Sequence, residues 1–164
     1  MVGHNLVGSI QTELMPELGP APGEVVIRTE RRLSNFGDTD LEQVLRSLGT
    51  DTVLLVGINT STCVMCAAFE AFNRDLRVVV VSDGVASMYG DDLHRFGLEN
   101  VARCLGWVVP AQEAMDRLAA GAGPTAGAGV TDGAGVTGPA AVRTAWATVS
   151  TEPGRSVLAV AGLA

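Results

Sequence analysis

The segment Gly57-Ile58-Asn59-Thr60-Ser61-Thr62-Cys63-Val64 holds the residue types best suited to chemistry. A continuous apolar run, Thr52 to Val56, precedes it, and Val64 to Arg74 follows with helical patterning. A cysteine at such a junction sits at or near a helix N-terminus. The first N–H groups of a helix have no partner inside it, and the macrodipole adds positive potential, so negative charge is favoured there. That favours a thiolate, the form of cysteine that attacks carbonyl carbon. The same N–H groups suit the oxyanion formed in such an attack. The plain alternative is packing, since free cysteines often serve as small buried hydrophobes. Position alone does not separate these two readings.

Other chemistry-bearing residues are sparse. Cys63 and Cys66 form a C-x-x-C pair, a spacing found in redox and zinc sites, but no second pair accompanies it and zinc is not expected. His4 and His94 are the two histidines, isolated from one another, and each reads as structural or solvated. No metal site and no cofactor is expected. Asp83 and Ser87 follow a predicted strand, Leu76 to Ser82, and so can reach the same end of a sheet as Cys63. Asp83 alternatively caps its own turn through the backbone. Tyr89-Gly90-Asp91-Asp92 reads either as a cover over the pocket or as a loop whose aspartates cap the next helix.

The elements that position these residues follow from hydrophobic periodicity. Glu24 to Thr29 is a short β-branched run, predicted as a strand. Leu41, Val44, Leu45 and Leu48 have helical spacing, with Thr39 or Asp40 as N-cap and Gly49 as stop. Thr52 to Val56 and Leu76 to Ser82 are apolar without alternation, as in strands buried on both faces. Asp91 to Leu105 and Ala111 to Ala120 read as helices, with Trp107 to Pro110 a short strand between them. Strands alternating with helices imply βαβ units: an α/β fold of three layers, α-β-α, around a mostly parallel, Rossmann-like sheet. Ligands of such sheets bind beyond the carboxyl ends of the strands, where Cys63 lies.

Composition sets the outer bounds. The 164 residues suffice for one domain, with 47% apolar and 18% charged residues. A net charge of −7 makes nucleic acid an unsuitable partner. Three cysteines, with no leader-like N-terminus, point to a reducing, cytoplasmic setting. The sequence has no apolar run of about 18 residues, so no membrane span is expected. Residues 1–120 are expected to form the domain. Residues 121–164 begin with Gly, Ala, Thr and Pro, including GAGVTDGAG, and are expected to form a flexible tail. Within that tail Val157 to Ala161 is open between a strand and no structure.

GINTSTCV resembles the G-(V/I)-x-T-x-x-C-V signature of the isochorismatase-like cysteine hydrolases. The segments PELGPAPGEVVIR, RRLSNFGDTDLEQVLRSLG and NRDLRVVVVSDGVAS are similar to neighbouring stretches of that family, so the resemblance covers about residues 9 to 116. It implies that Cys63 is a nucleophile in an Asp–Lys–Cys triad, hydrolysing amide or carbamoyl C–N bonds of a small molecule through a thioester. It also implies a cis peptide between Ile58 and Asn59, with the N–H groups of Asn59 and Cys63 as oxyanion hole. Asn59, Thr60 and Asp83 are the candidate substrate-binding residues.

The chain departs from the pattern at the other two triad positions. The family's aspartate lies on a first strand ahead of the segment matching PEL, whereas the first aspartate here is Asp38. The family's lysine position falls on Glu30, or on Thr29, and the sequence contains no lysine, leaving Arg28, Arg31 and Arg32 nearby. Arginine does not release a proton near neutral pH. The expectation is a shortened member lacking the first strand, impaired as an enzyme, with an open sheet edge that favours homo-oligomers. The alternatives are a catalytically silent member kept for oligomerisation or small-molecule binding, and a fragment of a longer active enzyme.

Overall fold

A computed structural model describes residues 22, 25–27, 33–119 and 157–162. Its elements are α1 (Leu41–Ser47), β1 (Thr52–Ile58), a π-helical turn (Thr60–Val64) running into α2 (Met65–Phe72), β2 (Arg77–Ala86), α3 (Asp91–Asn100) running into a second π-helical turn (Val101–Leu105), β3 (Gly106–Val109), α4 (Ala111–Ala119) and β4 (Val157–Gly162). The four strands form one sheet in the order β3-β2-β1-β4. Every pairing is parallel, with Val53 opposite Val78 and Leu158, and Val79 opposite Trp107.

The sheet is covered on both sides, which makes the three layers. Val53 and Leu55 of β1, with Val78 and Val80 of β2, pack under α1, α2, α3 and the turn after α3 through Leu41, Leu45, Ala67, Ala68, Ala71, Leu98 and Val101. The alternate residues, Leu54, Val56, Val79, Val81, Trp107 and Val109, meet Ala111 and Ala114 of α4. Both faces of β1 and β2 are therefore buried, as their unbroken apolar runs require.

Local signals account for the boundaries. Thr39 Oγ1 accepts the Leu41 N–H at 3.2 Å and donates to the Asn35 carbonyl at 2.6 Å, bracing the start of α1. Gly49 follows α1 with φ 65°, a left-handed conformation that ends helices cheaply only at glycine. Glu70 of α2 accepts from Ser34 Oγ at 2.6 Å and from the Asn35 N–H at 3.2 Å, fixing the segment ahead of α1. Arg74 bonds Glu42 at 2.8 Å and lies 4.5 Å over the Phe36 ring, joining α2 to α1. The guanidinium of Arg74, helped by that of Arg46, holds the Glu42 carboxyl below its ordinary value.

Three expectations change. Val25–Ile27 is not a strand, although EVVIRT has strand composition. Composition alone does not make a strand; Ile27 packs against the core, and β1 pairs with β2 and β4. Second, Val157–Gly162 is a strand, paired with β1 from Thr52↔Val157 to Gly57↔Gly162, so the tail reading does not extend to these six residues. Residues 120–156 lie outside the described set. Third, the edge of β1 expected to be open is occupied by β4, so the outer strand on that side of the sheet is β4. Among the described residues no helix is long and apolar enough to cross a membrane.

Candidate functional site

Cys63 is reached from the carboxyl end of β1. Gly57 has φ 112°, a region that side chains with a Cβ avoid, and the peptide bond one residue further on, Ile58–Asn59, is cis. Asn59 is extended, with φ −96° and ψ 142°, and is the N-cap of the turn that follows. Its carbonyl accepts from the N–H of Thr62 at 3.1 Å and of Val64 at 3.2 Å, two bonds that flank Cys63. The bond to Val64 is the i→i+5 step of a π turn, a winding that recurs at functional sites. Cys63 is thus the fourth residue of a continuous helical segment, Thr60–Phe72, and is 4% exposed. Thr62 Oγ1 donates to its sulfur at 3.7 Å.

The residues beside it are held from two directions. Asn59 is 1% exposed, and its Oδ1 accepts the Met88 N–H at 2.9 Å, so the loop after β2 fastens the entrance of the turn. Thr60, also 1% exposed, pairs its hydroxyl with Nδ1 of His94 on α3 at 2.8 Å. Its hydroxyl is therefore engaged with protein rather than presented to a substrate. Ser61 Oγ is buried without a hydrogen-bond partner among the described residues.

Cys66 lies one turn on, half-buried; burial pushes its thiol up, and the negative charges of Glu70 and Cys63 add to the shift. The three cysteines are free. Asp83 occupies an irregular stretch of β2, where the register with β1 jumps between Leu55↔Val80 and Gly57↔Val85. Its Oδ1 accepts the Ala111 N–H at 2.7 Å and so caps the first residue of α4. Capping occurs, but across the sheet rather than within its own turn. Ser87 Oγ accepts from the Tyr89 N–H at 3.2 Å, closing the loop into α3. Asp91 and Asp92 sit in the first turn of α3, whose N-cap is Gly90. Thr29, Glu30, Arg28, Arg31 and Arg32 lie outside the described residues. Among the described residues no group of three His, Cys, Asp or Glu side chains could hold a metal ion.

Periodicity missed two partners. The position of Thr62 beside Cys63 is a signal that could have found the first; none marks His94, whose contact with Thr60 spans 34 positions.

These features make a parallel α-β-α domain with a buried cysteine in the first turn of the helix that follows a buried strand. Residues 1–113 match the Isochorismatase domain model, and the chain belongs to the isochorismatase family. It is 34% identical over 101 residues to ureidoacrylate amidohydrolase RutB of Methylobacterium radiotolerans, covering 62% of this chain and 39% of that protein. It is 35% identical over 106 residues to maleamate amidohydrolase of Pseudomonas putida, covering 65% of this chain and 49% of that one. The chain therefore spans less than half the length of these two relatives. Among solved structures, an isochorismatase-like hydrolase from Alkaliphilus metalliredigens superposes with a TM-score of 0.65 at 31% identity, covering 70% of this chain and 63% of that one. A cysteine hydrolase from Pseudomonas syringae gives 0.63 at 27% identity, with 66% and 55% covered.

Proposed function

We propose that Cys63 is the nucleophile of an amidohydrolase site that acts on a short amide or carbamoyl compound. The observation that carries the reading is the placement of Cys63 in the first turn of the helix after β1, flanked by the Asn59 carbonyl bonds, with the Thr62 hydroxyl on its sulfur. The Cys63 thiolate attacks the carbonyl carbon, forming a C–S bond and an oxyanion. The N–H groups of Asn59 and Cys63 receive that oxyanion. Collapse breaks the C–N bond, and the leaving nitrogen takes up the proton given up by the thiol. Water then attacks the thioester, breaks the C–S bond and releases the acid. The relatives named for maleamate and ureidoacrylate favour a short, acyclic, carboxylated amide as substrate.

Turnover by residues 1–164 alone is weak in this reading. Among the described residues, the group hydrogen-bonded to the Cys63 sulfur is the Thr62 hydroxyl, which is no base at neutral pH, and the sequence has no lysine. General acid–base help is typically worth about 10²- to 10⁴-fold, and its loss sets the expected deficit. Ammonia release from maleamate, ureidoacrylate, nicotinamide, N-carbamoyl amino acids and biuret tests the proposal, with Cys63→Ala as control. Slow release abolished by that substitution, with an acyl adduct on Cys63 by mass spectrometry, is the expected result. Release that persists in Cys63→Ala overturns the nucleophile. Fast release abolished by it keeps the nucleophile and refutes the deficit. Neither release nor adduct leaves a silent scaffold.

A further inference from the structure

The helix that carries Cys63 is braced from outside by α3, and one imidazole is at the centre of that contact. Three residues of α3, at spacings of three, meet the Cys63 segment. His94 Nδ1 is 2.8 Å from Thr60 Oγ1. Gly97 approaches so closely that an added Cβ would lie 3.0 Å from both the Thr60 carbonyl oxygen and its Cγ2. Asn100 Nδ2 is 3.2 Å from Met65 Sδ. Residues three apart lie about 60° from one another around an α-helix, so these three contacts sweep along one side of α3 past the Cys63 segment. Thr60 opens the turn and is buried, and it follows Asn59, whose side chain is fixed to Met88. A buried hydroxyl deprived of its partner would be left unsatisfied, which costs more than the bond contributes when made.

We propose that His94 is a positioning residue for Cys63. It acts through Thr60: the imidazole holds the Thr60 hydroxyl, and with it the backbone that sets the place of Cys63 three residues on. The close approach at Gly97 keeps α3 near enough for the imidazole to reach. The purpose assigned to this brace rests on the reading of Cys63 as nucleophile; the brace itself does not. Either imidazole tautomer satisfies the pair, with the hydroxyl donating in one and accepting in the other.

The test compares His94→Leu, which removes the polar atom, with His94→Asn, which restores one on Cγ where Nδ1 stood. Thr60→Val and the His94→Leu/Thr60→Val double variant complete a cycle. The first readout is amide hydrogen exchange in the 164-residue chain, followed over peptides spanning residues 60–66. His94→Leu is expected to speed exchange there about three- to tenfold, the scale of one hydrogen bond, with peptides of β3 unchanged. His94→Asn is expected to return most of the protection, and the double variant to exchange no faster than the faster single one. The second readout is the p-nitrophenolate burst from p-nitrophenyl acetate, assigned to Cys63 by its loss in Cys63→Ala. Its rate is expected to fall three- to tenfold in His94→Leu and to recover in His94→Asn. Unchanged exchange in His94→Leu, equal effects of Leu and Asn, or additive effects in the cycle would overturn the brace. Should Thr60→Val not fold, the His94 pair decides alone. A burst that is absent in the native chain, or that survives Cys63→Ala, refutes the nucleophile while exchange still decides whether His94 holds the turn.

Discussion

Two five-residue π-helical turns, each bearing a cysteine, sit at opposite ends of helices in this protein. Thr60–Val64 opens the helix after β1 and carries Cys63 buried; Val101–Leu105 closes α3 and carries Cys104 exposed. The local winding is the same, but the surroundings oppose one another. At the first turn a thiol meets the N-terminal end of a helix, where negative charge is favoured, and a hydroxyl faces its sulfur. At the second turn the thiol sits at the C-terminal end, where negative charge is disfavoured, with Arg103 as the basic residue of that turn. The buried residues of the second turn, Val101, Ala102 and Leu105, go to the core, and Gly106 then starts β3. A π turn and a cysteine are therefore not enough to define a site; the helix end and the neighbours decide.

Four measurements break or sharpen that contrast. The largest effect is expected for Cys63→Ala, which should reduce any amide hydrolysis to the uncatalysed background in an ammonia-release assay. Cys104→Ala should leave activity unaltered and move stability by no more than about 0.5 kcal/mol, as surface changes generally do. Loss of activity on changing Cys104 would erase the distinction.

The second effect is on stability and belongs to the other turn. A Cβ at Gly106 would overlap the Val78 carbonyl, and backbone cannot move aside as a flexible side chain can. Gly106→Ala is expected to cost about 3 kcal/mol, read from the urea midpoint, in line with overpacked cores. A neutral result would show that the exit of the second turn is not packed as described.

A smaller change is expected for Thr62→Val, which keeps shape and removes the hydroxyl facing Cys63 Sγ. Alkylation of Cys63 by iodoacetamide should slow about two- to tenfold, with Cys104 in the same molecule unaffected. Equal slowing of both thiols would mean a general change in the fold. The smallest effect concerns Cys66. Its thiol is raised above the ordinary value of 9.0, so its thiolate fraction at neutral pH is depressed and keeps growing where an unperturbed thiol has levelled off. Its alkylation rate should accordingly reach half its maximum at a pH above that value; a midpoint at or below it would contradict the role of burial.

Much of the scaffold was legible because it depends on local pattern. Unbroken apolar runs marked β1 and β2 as buried on both faces, Gly49 marked the end of α1, and Cys63 fell between a strand and a helix. The same pattern failed at Val25–Ile27, where strand composition is present and strand pairing is not. It underestimated β2, which continues past Asp83 through an irregular register to Ala86.

The sequence by itself determined the layers and the cysteine's position at the end of β1, because alternation, helical spacing and helix stops are properties of neighbours along the chain. Tertiary structure alone decided which distant groups meet. Asp83, a candidate for substrate, accepts the N–H of Ala111, 28 positions away. Thr60, another, pairs its hydroxyl with Nδ1 of His94. Val157 to Ala161, open between strand and no structure, belongs to a strand, Val157–Gly162, that pairs with β1 along most of its length. Each of these partners is chosen by how helices and strands stack. A hydrogen-bonding group joins whichever complementary atom the packing brings within about 3 Å, and no local spacing encodes that neighbour.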